Sequence, residues 1–334
     1  MSGIDLTVVW AGIIGFAIFA YVAMDGFDLG IGLLFPGFAV GEERDRAMNS
    51  IAPVWDGNET WLILGGGGLM AMFPLAYAII LPATYPLIIA MLLGLIFRGV
   101  AFEFRWRDPG HRRLWDLAFT TGSAVAALAQ GITLGAILQG IRVENNMYAG
   151  GWLDWLSPFS LLTGVSVALG YGLLGATWLI WKTDGPGQAR ARRMAFGLGI
   201  ATLAALAAVS LWTPFLNFAY WTRWFQFPQM LLTLPVPLLV LGCAYVFFRS
   251  LARQDERRPF LMALGLFLLG FLGLGISIYP YAVPQAVTIW EAASPPESQA
   301  FLLVGTVVIV PMILAYTAWA YWVFRGKAGS QGYH

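Results

Sequence analysis

Apolar runs of about 18 or more residues, each long enough to cross a bilayer as a helix, recur along this chain. They fall at roughly 7–36, 50–73, 77–102, 115–140, 157–182, 195–218, 229–249, 260–281 and 300–324. Composition points the same way: the chain is 59% hydrophobic and 11% charged, with a mean hydropathy of +0.71. These values lie outside soluble globular usage. The expected fold is an all-α polytopic membrane protein of nine transmembrane helices, forming one integral membrane domain over residues 1–334. The least distinct boundary lies at Phe73 and Pro74, where hydrophobicity hardly dips. The first run lacks a basic leader, is too long for a signal sequence and contains Asp25, so it reads as a retained helix.

Basic residues in short loops set orientation. Of the 19 Lys and Arg residues, sixteen lie after odd-numbered runs, from Arg44 to Lys327, and only Arg142 and Arg223 lie after even ones. The last, Arg98, is inside a run. That asymmetry predicts an outside N-terminus and a cytoplasmic C-terminus. The loops GGWLDW at 150–155 and AYWTRWFQF at 219–227 have the tryptophan and tyrosine of an interfacial aromatic belt. The segment KTDGPGQARARR at 182–193 reads as a link between two halves, without a convincing internal repeat. Near-neutral charge and no dense basic stripe argue against nucleic acid as a partner.

Ionisable residues inside a membrane cost about 2.5–3.5 kcal/mol each by insertion scales and usually face the protein interior. Asp25 and Asp28 share one helical face in AMDGFDLG, and Asp56 and Glu59 repeat that spacing in VWDGNETW. Arg98 and Glu103 stand in FRGVAFEFR, near the end of the third run. With the predicted orientation, these four acids and Arg98 gather at one cytoplasmic corner of three consecutive helices. Clustered carboxyl groups in apolar surroundings are suited to relaying protons. Two other readings stay open: a buried ion-pair network that locks the helices, and coordination of a cation. GGGG at 65–68 lacks the Lys and Ser/Thr of a phosphate loop and reads as a close-packing helix surface. Gln130, Thr133 and Gln139 suit either a polar cavity or interhelical hydrogen bonds.

The chain has two histidines, His111 in a loop and His334 at the C-terminus, and one cysteine, Cys243. No run therefore offers an imidazole for haem, and a cysteine metal cage is ruled out. Redox chemistry would have to come from a partner.

AMDGFDLG, APVWDGNETWL at 52–62 and FRGVAFEFR at 97–105 together resemble the second subunit of cytochrome bd-type quinol oxidases, including the cyanide-insensitive branch. The three motifs occur in the family's order, and the nine-run layout covers the whole chain. The resemblance implies two four-helix bundles plus a peripheral helix, in a bacterial inner membrane. It implies a heterodimer whose first subunit carries the haems, oxidises quinol and reduces dioxygen to water with protons drawn from the cytoplasm. No haem is then expected in this chain. It further implies a proton route through Asp25 and Asp56, with Asp28 and Glu59 as neighbours, and a structural role for Arg98. Trp61 matches a position associated with an apolar passage for dioxygen. The resemblance leaves room for a structural quinone, for lipid and for a small single-helix third subunit. The competing class is a proton-coupled secondary transporter, which should show matched, Gly/Pro-broken spans in two halves.

Overall fold

A computed structural model describes residues 5–329. Helix α1 (Leu6–Leu34) begins where the Asp5 carboxylate accepts the Thr7 amide at 2.9 Å, satisfying donors that the first turn leaves unpaired. It runs unbroken past Asp25 and Asp28. A short helix, α2 (Glu42–Asn49), precedes α3 (Trp55–Met72). At Phe73 the backbone leaves helical geometry, and Pro74 opens α4 (Pro74–Arg107). Proline suits a first helical position because it has no amide hydrogen to leave unsatisfied. Then come α5 (Arg112–Gln139), a hairpin of β1 (Val143–Glu144) and β2 (Met147–Tyr148), α6 (Pro158–Lys182) and α7 (Gly185–Leu216). Short helices α8 (Phe218–Phe225) and α9 (Gln229–Thr233) lead to α10 (Pro235–Ala252) and α11 (Arg258–Ile278). A second hairpin, β3 (Tyr281–Val283) with β4 (Val287–Thr288), is followed by α12 (Ile289–Ala292) and α13 (Pro296–Val323).

Eight helices among the described residues are long and apolar enough to cross a membrane. The predicted run at 50–73 is not among them. Residues 50–54 are turn, and the 18-residue α3 that follows contains Asp56 and Glu59. It still bridges the two ends of the molecule, because its start meets α1 and α13 through Asn58 while the Met72 carbonyl accepts the Ser294 amide at 2.8 Å. A second difference concerns the link at 182–193, most of which is the first turns of α7. Its Pro186 near the start and its Gln, Ala and Arg residues favour helix.

The basic loops collect at one end and hold one another there. Arg46 pairs with Asp184 at 2.6 Å, Arg190 with Glu43 at 3.0 Å and Lys327 with Glu256 at 2.9 Å. Arg105, almost fully buried, pairs with Asp45 at 2.7 Å and Asp116 at 2.6 Å, and Arg44 reaches the second oxygen of Asp116 at 2.7 Å. At the opposite end, Asp5 accepts the Trp290 indole at 2.7 Å and Tyr220 donates to the Leu138 carbonyl at 3.0 Å.

Helix α1 is the spine, packed against α3, α5 and α6. In lipid there is little hydrophobic drive between helices, so close contact depends on small residues. A Cβ at Gly30 would lie 1.8 Å from the Tyr171 carbonyl oxygen, and one at Gly175 2.5 Å from the Gly30 carbonyl carbon. The run at 65–68 works in the same way on alternate sides: Gly65 and Gly68 face Ile18 and Ile14 of α1, whereas Gly66 and Gly67 face open space. Helix α13 is the least integrated, with Gln299 as its one buried residue.

Candidate functional site

Arg98 sits on α4 with its side chain fully buried. Its Nη1 is 2.6 Å from Asp25 Oδ1 on α1, and its Nη2 donates to the Glu59 carboxylate on α3. One guanidinium thus bridges acids from two other helices. A planar fork presents separate nitrogens to the two carboxylates, a geometry that the single nitrogen of an ammonium does not reproduce. Asp28, one turn beyond Asp25, is also fully buried. Its Oδ2 accepts the Asn58 amide nitrogen at 2.8 Å, and its Oδ1 has no hydrogen-bond partner. Asn58 in turn accepts the Tyr321 hydroxyl from α13 at 2.8 Å.

A second polar arm leaves the cluster toward the middle of the bundle. The Tyr171 hydroxyl on α6 donates to Gln130 on α5 at 2.7 Å, and the Gln130 amide donates to the Tyr21 hydroxyl at 2.7 Å. Tyr21 lies one turn before Asp25 and turns its hydroxyl toward that carboxylate. Both buried aspartates therefore sit at the end of a chain of donors headed by a tyrosine. Gln130 answers the sequence question in favour of interhelical hydrogen bonds, as does Gln139, which accepts Ser157 at 2.5 Å.

Of the residues singled out in the sequence, Asp25, Asp28, Glu59 and Arg98 meet in one place. Asp56 is exposed on the first turn of α3, at the same end of the molecule but outside the buried cluster. Glu103 is exposed too, paired with Arg107 at 3.3 Å on its own helix. It takes no part in the Arg98 network, because its position on α4 points it away from the core. Trp61 is buried, edge-on to Phe16 with ring centroids 5.6 Å apart, and its indole nitrogen is unpartnered.

Asn58, Tyr21, Tyr171 and Tyr321 escaped sequence reasoning. Only Asn58 carried a signal, being an amide between the two acids of VWDGNETW; the tyrosines look like ordinary interfacial or packing aromatics. Among the described residues no group of three or more His, Cys, Asp or Glu is placed to hold a metal. His111 is exposed, with its ring 3.0 Å from Asp108, and His334 lies outside the described residues.

Two fully buried carboxyls, Asp25 and Asp28, and the partly exposed Glu59 share one cation, Arg98. Acids and a cation gathered in this way suit either a proton relay or an ion-pair network that locks the helices.

A family model for cytochrome bd terminal oxidase subunit II matches residues 6–324. The chain is 31% identical to the cytochrome bd-I ubiquinol oxidase subunit 2 of Escherichia coli, with 96% of this chain and 95% of the relative aligned. It is 29% identical to the cytochrome bd ubiquinol oxidase subunit 2 of Bacillus subtilis, with 95% of each covered. In fold it is similar to a chain of the bd oxidase from Geobacillus thermodenitrificans, with a TM-score of 0.78 and 18% identity over 96% of this chain and 98% of that one.

Proposed function

The chain belongs to the family of cytochrome bd terminal oxidase subunit II, and from that premise we propose how it serves the enzyme. It is a multi-pass inner-membrane subunit of a quinol oxidase. In our reading it stabilises the haem-bearing first subunit and delivers cytoplasmic protons toward dioxygen reduction there. The one described histidine, His111, is tied to Asp108 in an exposed turn, so no described membrane helix offers haem an imidazole. The haem chemistry belongs to the partner subunit.

We count α3 as a ninth crossing segment, since it runs between the two ends despite its acids. The basic end faces the cytoplasm in this reading, and the four crossings α1, α3, α4 and α5, then α6, α7, α10 and α11, form two bundles with α13 peripheral. The proton role rests on one observation: Arg98 is shared by Asp25 and Glu59, with Asp28 buried beside them. Asp56, exposed at the same end, collects protons from solvent or from the interface with the first subunit. Trp61 borders an apolar passage for dioxygen.

A proton-coupled transporter is the weaker reading. Helices α4, α7 and α13 continue through Pro82, Pro86, Pro214 and Pro311, whereas such a transporter is expected to break its spans at corresponding positions of two halves. The test is purification of the tagged chain in mild detergent, with a reduced-minus-oxidised spectrum and a quinol-dependent oxygen-uptake assay. Copurifying haem and oxygen uptake are expected. A colourless, inactive chain under conditions that preserve membrane complexes would sink the reading.

A further inference from the structure

Helix α13 is largely exposed, yet the segment that follows its last turn is fastened firmly. Lys182 on α6 donates to the Phe324 carbonyl, the Ala328 amide donates to the Lys182 carbonyl at 2.8 Å, and Lys327 donates to the Thr183 carbonyl at 2.9 Å. Just above this seat Tyr321 reaches inward to Asn58. A cavity of about 340 Å³ lies below, lined by Ser50, Val54, Trp178, Lys182, Tyr321 and Lys327 among others.

We infer that Tyr321 is a positioning residue for Asp28: by donating to the Asn58 amide oxygen it keeps the amide nitrogen turned toward that carboxyl. An amide is a donor on one side and an acceptor on the other. With its oxygen held by Tyr321, Asn58 can only donate to Asp28, an arrangement that suits the ionised carboxylate. Its other acceptor, the Met24 carbonyl, is 3.4 Å away, too long to hold the amide alone. Without the Tyr321 hydroxyl the amide can turn over and accept from protonated Asp28, which then keeps its proton to higher pH. The remaining groups facing Asp28 are Asp25 on α1, Glu59 on α3 and Arg98 on α4. None of them is a neutral group that can swap donor for acceptor. The seating of the last helix is thereby coupled to proton binding in the acid cluster.

This inference rests on the proton-handling reading, and the test separates the two. In the purified complex with its partner subunit, Tyr321→Phe is compared with the native protein by infrared spectroscopy of the carboxyl band, identified by its loss in Asp28→Asn. The pH profile of oxygen uptake is recorded alongside. The band and the profile should both move to higher pH by about half to one unit, the effect of one hydrogen bond. A fluorinated tyrosine at position 321, a stronger donor that keeps the ring in place, should move the band the opposite way. A band that moves without the profile leaves the inference standing and removes the proton-uptake reading. An Asp28 band at the same pH in all three proteins, or none at any pH, overturns the inference.

Discussion

Arg98 Nη1 and Asp25 Oδ1 lie 2.6 Å apart, on α4 and α1, with neither side chain exposed. A buried ion pair of this kind does not by itself argue for stability, because two charges lose their water to form it. It persists here because the same guanidinium also holds Glu59, and because glycines in α1 let the surrounding helices close over it.

Removing the cation should therefore be far worse than never having the pair. Arg98→Ala leaves buried acids without a counter-charge and is expected to cost about 3–5 kcal/mol. Thermal unfolding of the detergent-solubilised complex measures this. Arg98→Lys keeps the charge but replaces the fork by a single nitrogen, and should fall between Arg98→Ala and the native protein.

Neutralising single acids separates chemistry from assembly. Asp25→Asn and Asp28→Asn should slow oxygen uptake about tenfold or more, which corresponds to about 1.4 kcal/mol in the barrier, with haem content retained. Loss of haem and of the partner subunit instead would favour a locking role for the cluster.

Asp56→Asn is the cleaner companion because the residue is exposed. Surface changes of this kind usually alter stability by no more than about 0.5 kcal/mol. Slower turnover at unchanged melting temperature is expected. Unchanged turnover would remove Asp56 from the route.

Helix contact makes its own forecast. Gly30→Ala drives a methyl against the Tyr171 carbonyl oxygen, 1.8 Å from its ideal position. Forcing α1 and α6 apart should destabilise the complex by about 1–3 kcal/mol. Gly66→Ala meets nothing within 4 Å and should be neutral or slightly stabilising by helix propensity. Equal melting temperatures for the two variants would contradict the close packing described.

The fastening of the C-terminal segment should depend on pH. Lys327, and then Gln188, hold the Glu256 carboxyl below its ordinary value of 4.5. A carboxyl whose value is lowered on folding contributes stability that is complete above the unfolded value and lost as pH falls through the folded one. Protease cleavage near residues 325–329 should therefore speed up as pH falls below about 4.5. In Glu256→Gln it should already be faster at neutral pH.

Much of this was legible in the residues. Long apolar runs announced membrane helices, and loop charges sorted the ends: Arg46, Arg190 and Lys327 do meet acids from other loops at one end. The meeting of Asp25, Asp28 and Glu59 with Arg98 was readable from spacing and direction along successive helices, but Asp56, expected in the same corner, stays exposed outside it. Glu103 was not readable, since its side depends on how α4 is rotated, and a long helix with apolar residues all round gives no face to read. For the same reason Tyr21, Tyr171 and Tyr321 stayed hidden.

The sequence by itself determined the solvent and the long apolar helices, because length and hydropathy are local quantities. The tertiary structure decided which groups touch. Glycine contacts set the rotation and separation of α1 and α6, and the seat of α13 on Lys182 brings Tyr321 to Asn58. Those are distances between segments far apart in the chain, and packing alone fixes them.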